Sequence, residues 1–363
     1  MKQTGIAVIG GGPAGLSAAL EAARLGARVT LIDSEDRPGG QLVKQTHKFF
    51  GSRKQQAGVR GIDIAARLAR EAVSLPGLEV WSRATVLGYY DDRVLAVERG
   101  GEFVKLRAER AIVATGASEK VLAFPNNDLP GVYGAGAVQT LMNLHGVKPG
   151  KNVLMVGAGN IGLIVSYQLR QAGVNVKAIV EAAPRIGGYL VHAAKVRRAG
   201  IRIYTGHTVK RAYGRDGVEG AVIWRLDRNW EPVPGTEKDF EVDVICLAVG
   251  LSPLADLLWQ AGCRMRYIPE LGGHVPERGR DLETSIPGLY VAGDVAGVEE
   301  ASSAMVEGRL AGLMAAAGLG YAPADLVAVK EELHNQLAAL RSGPTGVKIR
   351  QGLAQLGEPY NAN

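Results

Sequence analysis

The 363-residue chain has only two cysteines, Cys246 and Cys263, seventeen positions apart. Two thiols cannot build a disulfide framework, a Cys-x-x-Cys redox pair, a four-cysteine cluster site or a zinc quartet within this chain. They read as small buried hydrophobes. Long apolar runs are also missing. None reaches the roughly 18 uninterrupted residues of a membrane-spanning helix, and the longest candidate, Leu310 to Gly320, suits a helix buried against a sheet. Nor is there a strong excess of one charge: 42 basic against 36 acidic residues leave +6, which does not demand a polyanionic partner. Arg53-Lys54 and Lys195-Val-Arg197-Arg198 read as solvated surface, or as a face for an acidic protein. Met1-Lys2-Gln3 ahead of Gly5 to Leu20 has the outline of a signal peptide, but its glycine spacing argues otherwise. A cytoplasmic protein with no membrane span and no nucleic-acid partner is expected.

What is abundant is glycine. Its 49 residues are about one in seven, roughly twice average usage, and they lack a triplet period. Many sharp turns or close backbone approaches to a ligand follow. With 47% hydrophobic and 21% charged residues there is ample material for cores, and the length suits two nucleotide-sized domains.

The N-terminus reads as a buried strand, Gly5–Ile9, then Gly10-Gly-Gly12-Pro-Ala-Gly15, an alanine-rich helix from Leu16 to Leu25, and a second strand from Ala27 to Ile32 ending at Asp33. Gly10 permits a tight turn, Gly12 lets backbone approach a pyrophosphate, and Gly15 allows close helix–strand packing. The helix N-terminus offers free N–H groups to phosphate, and Asp33, eighteen residues after Gly15, can accept from a ribose. The grammar recurs 147 positions on: Asn152–Val156, Gly157-Ala-Gly159-Asn-Ile-Gly162, a helix to about Ala172, and Val176–Val180 ending at Glu181. Glu181 would repel a 2′-phosphate, which favours NAD(H) there, although Arg185 lies close by. Two further apolar strands meet turns, Ala111–Thr115–Gly116 and Val244–Gly250, each expected to close its own domain. A third, Gly288–Gly293-Asp294, precedes a helix from about Ser302 to Ala316.

This arrangement resembles the two-dinucleotide-binding flavoproteins, the pyridine nucleotide–disulfide oxidoreductase-like proteins of thioredoxin-reductase size. The resemblance rests on Gly10–Gly15, Pro38-Gly-Gly40-Gln41, Ala114-Thr-Gly116, Gly157–Gly162 and Val291-Ala-Gly293-Asp294. It implies an α/β protein of two Rossmann-like three-layer domains, with FAD on the first and a nicotinamide-type domain inserted into it. The partition expected is 1–123 and 252–322 for FAD, 124–251 for NAD(H) or another adenine nucleotide, and 323–363 for a C-terminal helix and arm. Carried onto this chain, Gly10, Gly12 and Gly15 meet the FAD pyrophosphate, with Ala14 also in the FAD set, Asp33 the adenosine ribose, and Val86 the adenine through its backbone. Gly40 and Gln41 lie near the flavin, Asp294 holds the ribityl chain, and Thr115 and Gly116 complete the FAD set. Gly157, Gly159, Gly162 and Glu181 form the second set. The missing Cys-x-x-Cys nearly excludes disulfide reduction.

A narrower similarity, carried by Thr46–Gly51, Glu181–Tyr189 and Gly293–Gly308, is to the FAD-containing α-type subunits of dye-linked amino-acid dehydrogenases, including proline, hydroxyproline, opine and sarcosine-oxidising complexes. It implies an electron-transfer flavoprotein subunit whose partners are an amine-oxidising flavoprotein subunit plus an iron–sulfur subunit. The cysteine-rich C-terminal segment of many relatives is absent here. Instead Leu326, Val329, Leu333, Leu337 and Leu340 mark an amphipathic helix, followed by the breaker Ser342–Gly346; that helix either folds back or docks on a partner. No catalytic side chain and no metal ligand is assigned, because flavin chemistry needs placement and electrostatics. The helix start, with Ala301 at its edge, is the expected source of that electrostatics. Lys44 and His47 read as loop residues or flavin neighbours. A free-standing NADH:acceptor oxidoreductase and a non-catalytic nucleotide-binding scaffold are the alternatives.

Overall fold

A computed structural model describes residues 1–344 and 346–357. The chain divides into two compact α/β units, one of residues 1–118 with the chain from 252 onward, the other of residues 119–251.

The first unit opens with β1 (Lys2–Ile9), α1 (Pro13–Arg24) and β2 (Val29–Ile32), then α2 (Gly61–Ser74), β3 (Leu78–Trp81), β4 (Ala84–Tyr89), β5 (Val94–Arg99) and the long β6 (Glu102–Val113). Their order across the sheet is β3-β2-β1-β6-β5-β4. The β1, β2, β3 side and the β1–β6 pair are parallel, whereas β4, β5 and β6 are antiparallel neighbours. Both faces of β1 are covered, which explains its continuous apolar run: Ile6, Ala7 and Val8 have no exposed surface. Helix α1 starts three residues before the expected Leu16, because Pro13 fits a first turn where no N–H partner is needed.

Two short paired strands, β7 (Ala117–Glu119) and a later counterpart, connect the units. The inserted unit holds β8 (Val132–Gly134), α3 (Ala135–His145), β9 (Asn152–Val156), α4 (Asn160–Gln171), β10 (Asn175–Glu181), α5 (Leu190–Arg198) and β11 (Arg202–Thr205). It continues through an antiparallel sheet, β12 (His207–Tyr213), β13 (Gly220–Arg225) and β14 (Lys238–Phe240), and ends with β15 (Val244–Leu247). The main sheet runs β11-β10-β9-β15-β8, parallel throughout. The apolar strands β6 and β15, expected to close their domains, lie inside their sheets beside β1 and β9.

The chain returns through β16 (Leu251–Pro253), the partner of β7, to α6 (Asp256–Gln260), the hairpin β17 (Met265–Ile268) and β18 (Gly273–Pro276), and β19 (Leu289–Val291), which pairs in parallel with β6. Helix α7 (Ala301–Ala317) then crosses α1 in near contact. A Cβ on Gly308 would lie 2.0 Å from the carbonyl oxygen of Ala14, and one on Gly312 2.3 Å from that of Ala18. Helix α8 (Leu326–Leu340) folds back on its own unit, with Leu333 and Leu337 buried in the core that holds Leu310 and Leu313. The arm beyond it forms α9 (Val347–Gln355), whose Leu353 packs on Ile268, Leu271 and Val275. Thr345 of the breaker and residues 358–363 of the arm lie outside the described residues. Among the described residues, no helix is long and apolar enough to cross a membrane.

Candidate functional site

Three glycines at the end of β1 have three separate constraints. Gly10 has φ +100°, and a Cβ there would lie 2.4 Å from the carbonyl oxygen of Ala114. A Cβ on Gly15 would lie 1.7 Å from the carbonyl oxygen of Gly10, so any side chain would lift α1 off the strand. Gly12 is the opposite case: the nearest atom to its Cβ position is the Gly40 Cα at 3.9 Å. Its space is open. Helix α1 begins there with no side-chain cap and no acid in its first turn, so its unpaired amides and positive end can receive an anion.

Asp33 follows β2. Its Oδ2 accepts from the Gly11 N–H at 2.5 Å and its Oδ1 from the Glu35 N–H at 2.8 Å. Burial raises its pKa, and those two bonds oppose the rise. The lone pairs left over can accept from hydroxyl groups. Gly39 donates to the carbonyl of Gly11 at 2.7 Å, which brings Gly40 over Gly12; Gln41, next in line, is exposed.

The late strand end reaches the same place. Gly293 has φ +77°, and a Cβ on it would lie 2.8 Å from the Ala14 Cβ. Burial pushes the carboxyl of Asp294 up to about 7, helped by Glu307 and Glu299 and opposed by the Glu299 N–H, which donates to Oδ1 at 3.2 Å. Thus the expected residues Gly10, Gly12, Ala14, Gly15, Asp33, Gly40 and Gly293 form one chain of contacts, with Asp294 following. Thr115, just past β6, donates to the Leu254 carbonyl at 2.8 Å, and Gly116 takes φ +76° with open space at its Cβ position. Ala301 opens α7 against a small cluster of Leu42, Phe49 and Met305. Val86 lies on β4 two residues beyond Ala84, whose N–H donates to the Asp33 carbonyl at 2.9 Å, and it lines a pocket of about 300 Å³ with Leu87, Asp256, Leu257 and Gln260. His47 stacks on Phe49 in the intervening loop, with ring centroids 6.1 Å apart.

The inserted unit repeats this geometry. A Cβ on Gly157 would lie 2.2 Å from the Ala248 oxygen and one on Gly162 2.0 Å from the Gly157 oxygen, whereas Gly159 has nothing within 4 Å. Glu181 accepts from the Ala158 N–H at 2.7 Å and the Ala183 N–H at 2.9 Å, as Asp33 does from its two amides. Gly188 donates to the Ala158 carbonyl at 3.0 Å and itself lies against Gly159, where a Cβ on it would be 2.9 Å from the Gly159 carbonyl carbon. Arg37-Pro-Gly-Gly-Gln-Leu-Val43 and Arg185-Ile-Gly-Gly-Tyr-Leu-Val191 thus each bring a Gly-Gly pair against the glycine turn of their own unit, the donating glycine being the first of the pair in one and the second in the other. Motif reading missed this second repeat, although the spacing of 148 positions was there to be compared.

Residues 4–308 match the family described as pyridine nucleotide-disulphide oxidoreductase. The chain belongs to that family. It is an FAD-dependent oxidoreductase. It is 32% identical over 342 residues to the alpha subunit of sarcosine oxidase from Rhizobium meliloti (strain 1021), covering 90% of this chain and 32% of that protein. It is 31% identical over 332 residues to an opine oxidase subunit from Agrobacterium tumefaciens (strain Ach5), covering 86% of this chain and 65% of that one. The chain therefore spans about a third of the length of the sarcosine oxidase relative. The crystal structure of L-proline dehydrogenase from P. horikoshii shares the fold, with TM-score 0.71 and 24% identity over 92% of this chain and 59% of that one.

Cys246 is fully buried and Cys263 nearly so, and burial raises the pKa of both. Neither is a reactive thiolate.

One further cluster carried no sequence pattern. Glu307, 2% exposed on α7, accepts from the Gly293 N–H at 2.9 Å and from Arg341 Nη2 at 2.6 Å, with Arg278 Nη2 at 3.5 Å. Burial pushes its carboxyl up and the two guanidinium groups pull it back. Its only signal was an acid in the otherwise uncharged stretch Ala301–Gly308.

Proposed function

We propose that this chain is the electron-transfer flavoprotein subunit of a multi-subunit amino-acid or amine dehydrogenase, with FAD in the first unit and NAD(H) or another adenine nucleotide in the inserted one. The observation that carries the electron-transfer reading is the burial of both cysteines. A disulfide relay has no thiol pair to use, so electrons leave toward another acceptor. The relatives' names, subunits of sarcosine and opine oxidases, support a multi-subunit assembly; the partners in this reading are an amine-oxidising flavoprotein subunit plus an iron–sulfur subunit.

The residues of the first unit suit FAD. Gly10, Gly12, Ala14 and Gly15 give the pyrophosphate an open, amide-lined approach, Asp33 accepts from the adenosine ribose, and Val86 meets the adenine. Gly40, Gln41, Thr115, Gly116 and Ala301 surround the flavin end, and Asp294 accepts from the ribityl hydroxyls. Bound there, FAD supplies the uptake of an electron pair and its release as single electrons. The chain's own part is orientation and charge. The start of the 17-residue helix α7, with no acid in its first turn, favours negative charge beside Ala301.

In the inserted unit Glu181, propped by two backbone amides, would accept from a ribose with a free 2′-hydroxyl and repel a 2′-phosphate. That completeness favours a second reading, a free-standing NADH:acceptor oxidoreductase. Anaerobic titration of the FAD-loaded full chain separates them. Loss of the visible flavin absorbance only with an amine-oxidising partner and its substrate is expected. Prompt loss with NADH alone would establish the second reading, and silence to both would leave a scaffold.

A further inference from the structure

Beyond the family's matched residues, which end at 308, the C-terminal tail sends one side chain back under the Gly293–Glu300 segment. Arg341 caps the end of α8 and is 8% exposed. Its Nε meets Glu299 Oε1 at 3.1 Å and Oε2 at 3.0 Å, its Nη2 meets Glu299 Oε1 at 2.7 Å, and the same Nη2 meets Glu307 Oε1 at 2.6 Å. Each of these two residues in turn touches the strand end, Glu307 through its carboxylate and Glu299 through its backbone. Glu307 Oε2 accepts the Gly293 N–H at 2.9 Å, and the backbone N–H of Glu299 donates to Asp294 Oδ1 at 3.2 Å. The arm braces the same segment from its other side: Val298 donates to the Leu271 carbonyl at 2.9 Å, and Leu271 packs on Leu353 of α9.

Three acids, Asp294, Glu299 and Glu307, thus crowd one segment. Arg278 also reaches Glu307, at 3.5 Å. Arg341 touches two of them at once, in a planar two-pronged contact that lysine cannot copy. Removing one partner of a buried ion pair leaves an uncompensated charge, and Glu299 would relieve it by swinging toward water. Its amide, which orients Asp294, would move with it.

We propose that Arg341 is a positioning residue for the flavin site: the tail guanidinium fixes Glu299 and Glu307, and through them the Gly293-Asp294 strand end that meets the ribityl chain. The proposal rests on the reading that the first unit holds FAD. Loss of Arg341 therefore weakens FAD binding and alters the flavin's electronic surroundings, beyond any loss of fold stability.

The test uses the full chain as Arg341→Gln, Arg341→Lys and the control His334→Ala. His334 anchors the same helix by a 2.9 Å contact to Asp281 but touches neither Glu299 nor Glu307. Thermal stability of the FAD-free proteins, FAD dissociation constant, visible spectrum and midpoint potential are measured. R341Q is expected to bind FAD about tenfold or more weakly, with shifted spectrum and potential, R341K to recover part of this, and H334A to lose stability while keeping FAD affinity within about twofold. R341Q with wild-type affinity, spectrum and potential overturns the proposal, as does an equal effect in H334A. If R341Q does not fold, R341K decides by the same readouts. A wild-type chain that binds no FAD overturns the proposal together with the FAD reading, whereas wild-type binding with unaltered R341Q overturns the proposal alone.

Discussion

Gly12 and Gly15, three residues apart, separate binding from folding. Gly12 faces open space, so Gly12→Val should leave a folded chain with normal circular dichroism and remove FAD uptake. Gly15 faces the Gly10 carbonyl at 1.7 Å, so Gly15→Ala should destabilise the chain by about 3 kcal/mol or more, read as a fall in the denaturation midpoint. Equal effects from the two would contradict these separate roles. Asp294 gives a second prediction. Between about pH 4, where a free aspartate ionises, and its folded value of about 7, the folded FAD-free chain keeps a proton that the unfolded chain has released. Its contribution to stability therefore falls as pH rises through that window and is fully lost above about 7. Asp294→Asn should flatten this part of the profile, measured as the difference in denaturant midpoint between pH 5 and pH 8. Parallel profiles for the two proteins would exclude it.

At the scale of elements, the β1–α1–β2 and β9–α4–β10 units were readable because their determinants are local. Gly10, Gly12 and Gly15, or Gly157, Gly159 and Gly162, act on backbone within a few residues, and Asp33 and Glu181 stand at the ends of the next strands. Helix boundaries were less readable, since the start of α1 depends on Pro13 having no N–H to satisfy. The tail was legible only in part. The spacing of Leu326, Val329, Leu333, Leu337 and Leu340 marks an apolar stripe, but the stripe does not say which surface covers it; the structure answers with α7. Leu333→Ala and Leu337→Ala should each cost about 2–5 kcal/mol in denaturant unfolding. Val327→Ala, on the exposed face of the same helix, should stay within about 0.5 kcal/mol. A small effect at Leu333 and Leu337 would mean that α8 does not rest on its own unit.

At the scale of the molecule, the least legible features join parts distant in sequence. Nothing near Glu307 points to Arg341, 34 positions away, because an ion pair across a fold leaves no periodicity behind it. The contact between Ala14 and Gly293 is similar in kind, yet it was foreseeable, since the family resemblance brings the opening turn and the late Gly-Asp strand end to one molecule. The two readings of function share that molecule, and they differ only in where its electrons come from and go. The most direct test of the shared claim is the stoichiometry and site of FAD uptake. The full chain, stripped of cofactor and titrated with FAD, should take up one equivalent, and the Gly12→Val chain, equally folded, none. A folded wild-type chain that takes up no FAD, or a Gly12→Val chain that takes up as much as wild type, would contradict it.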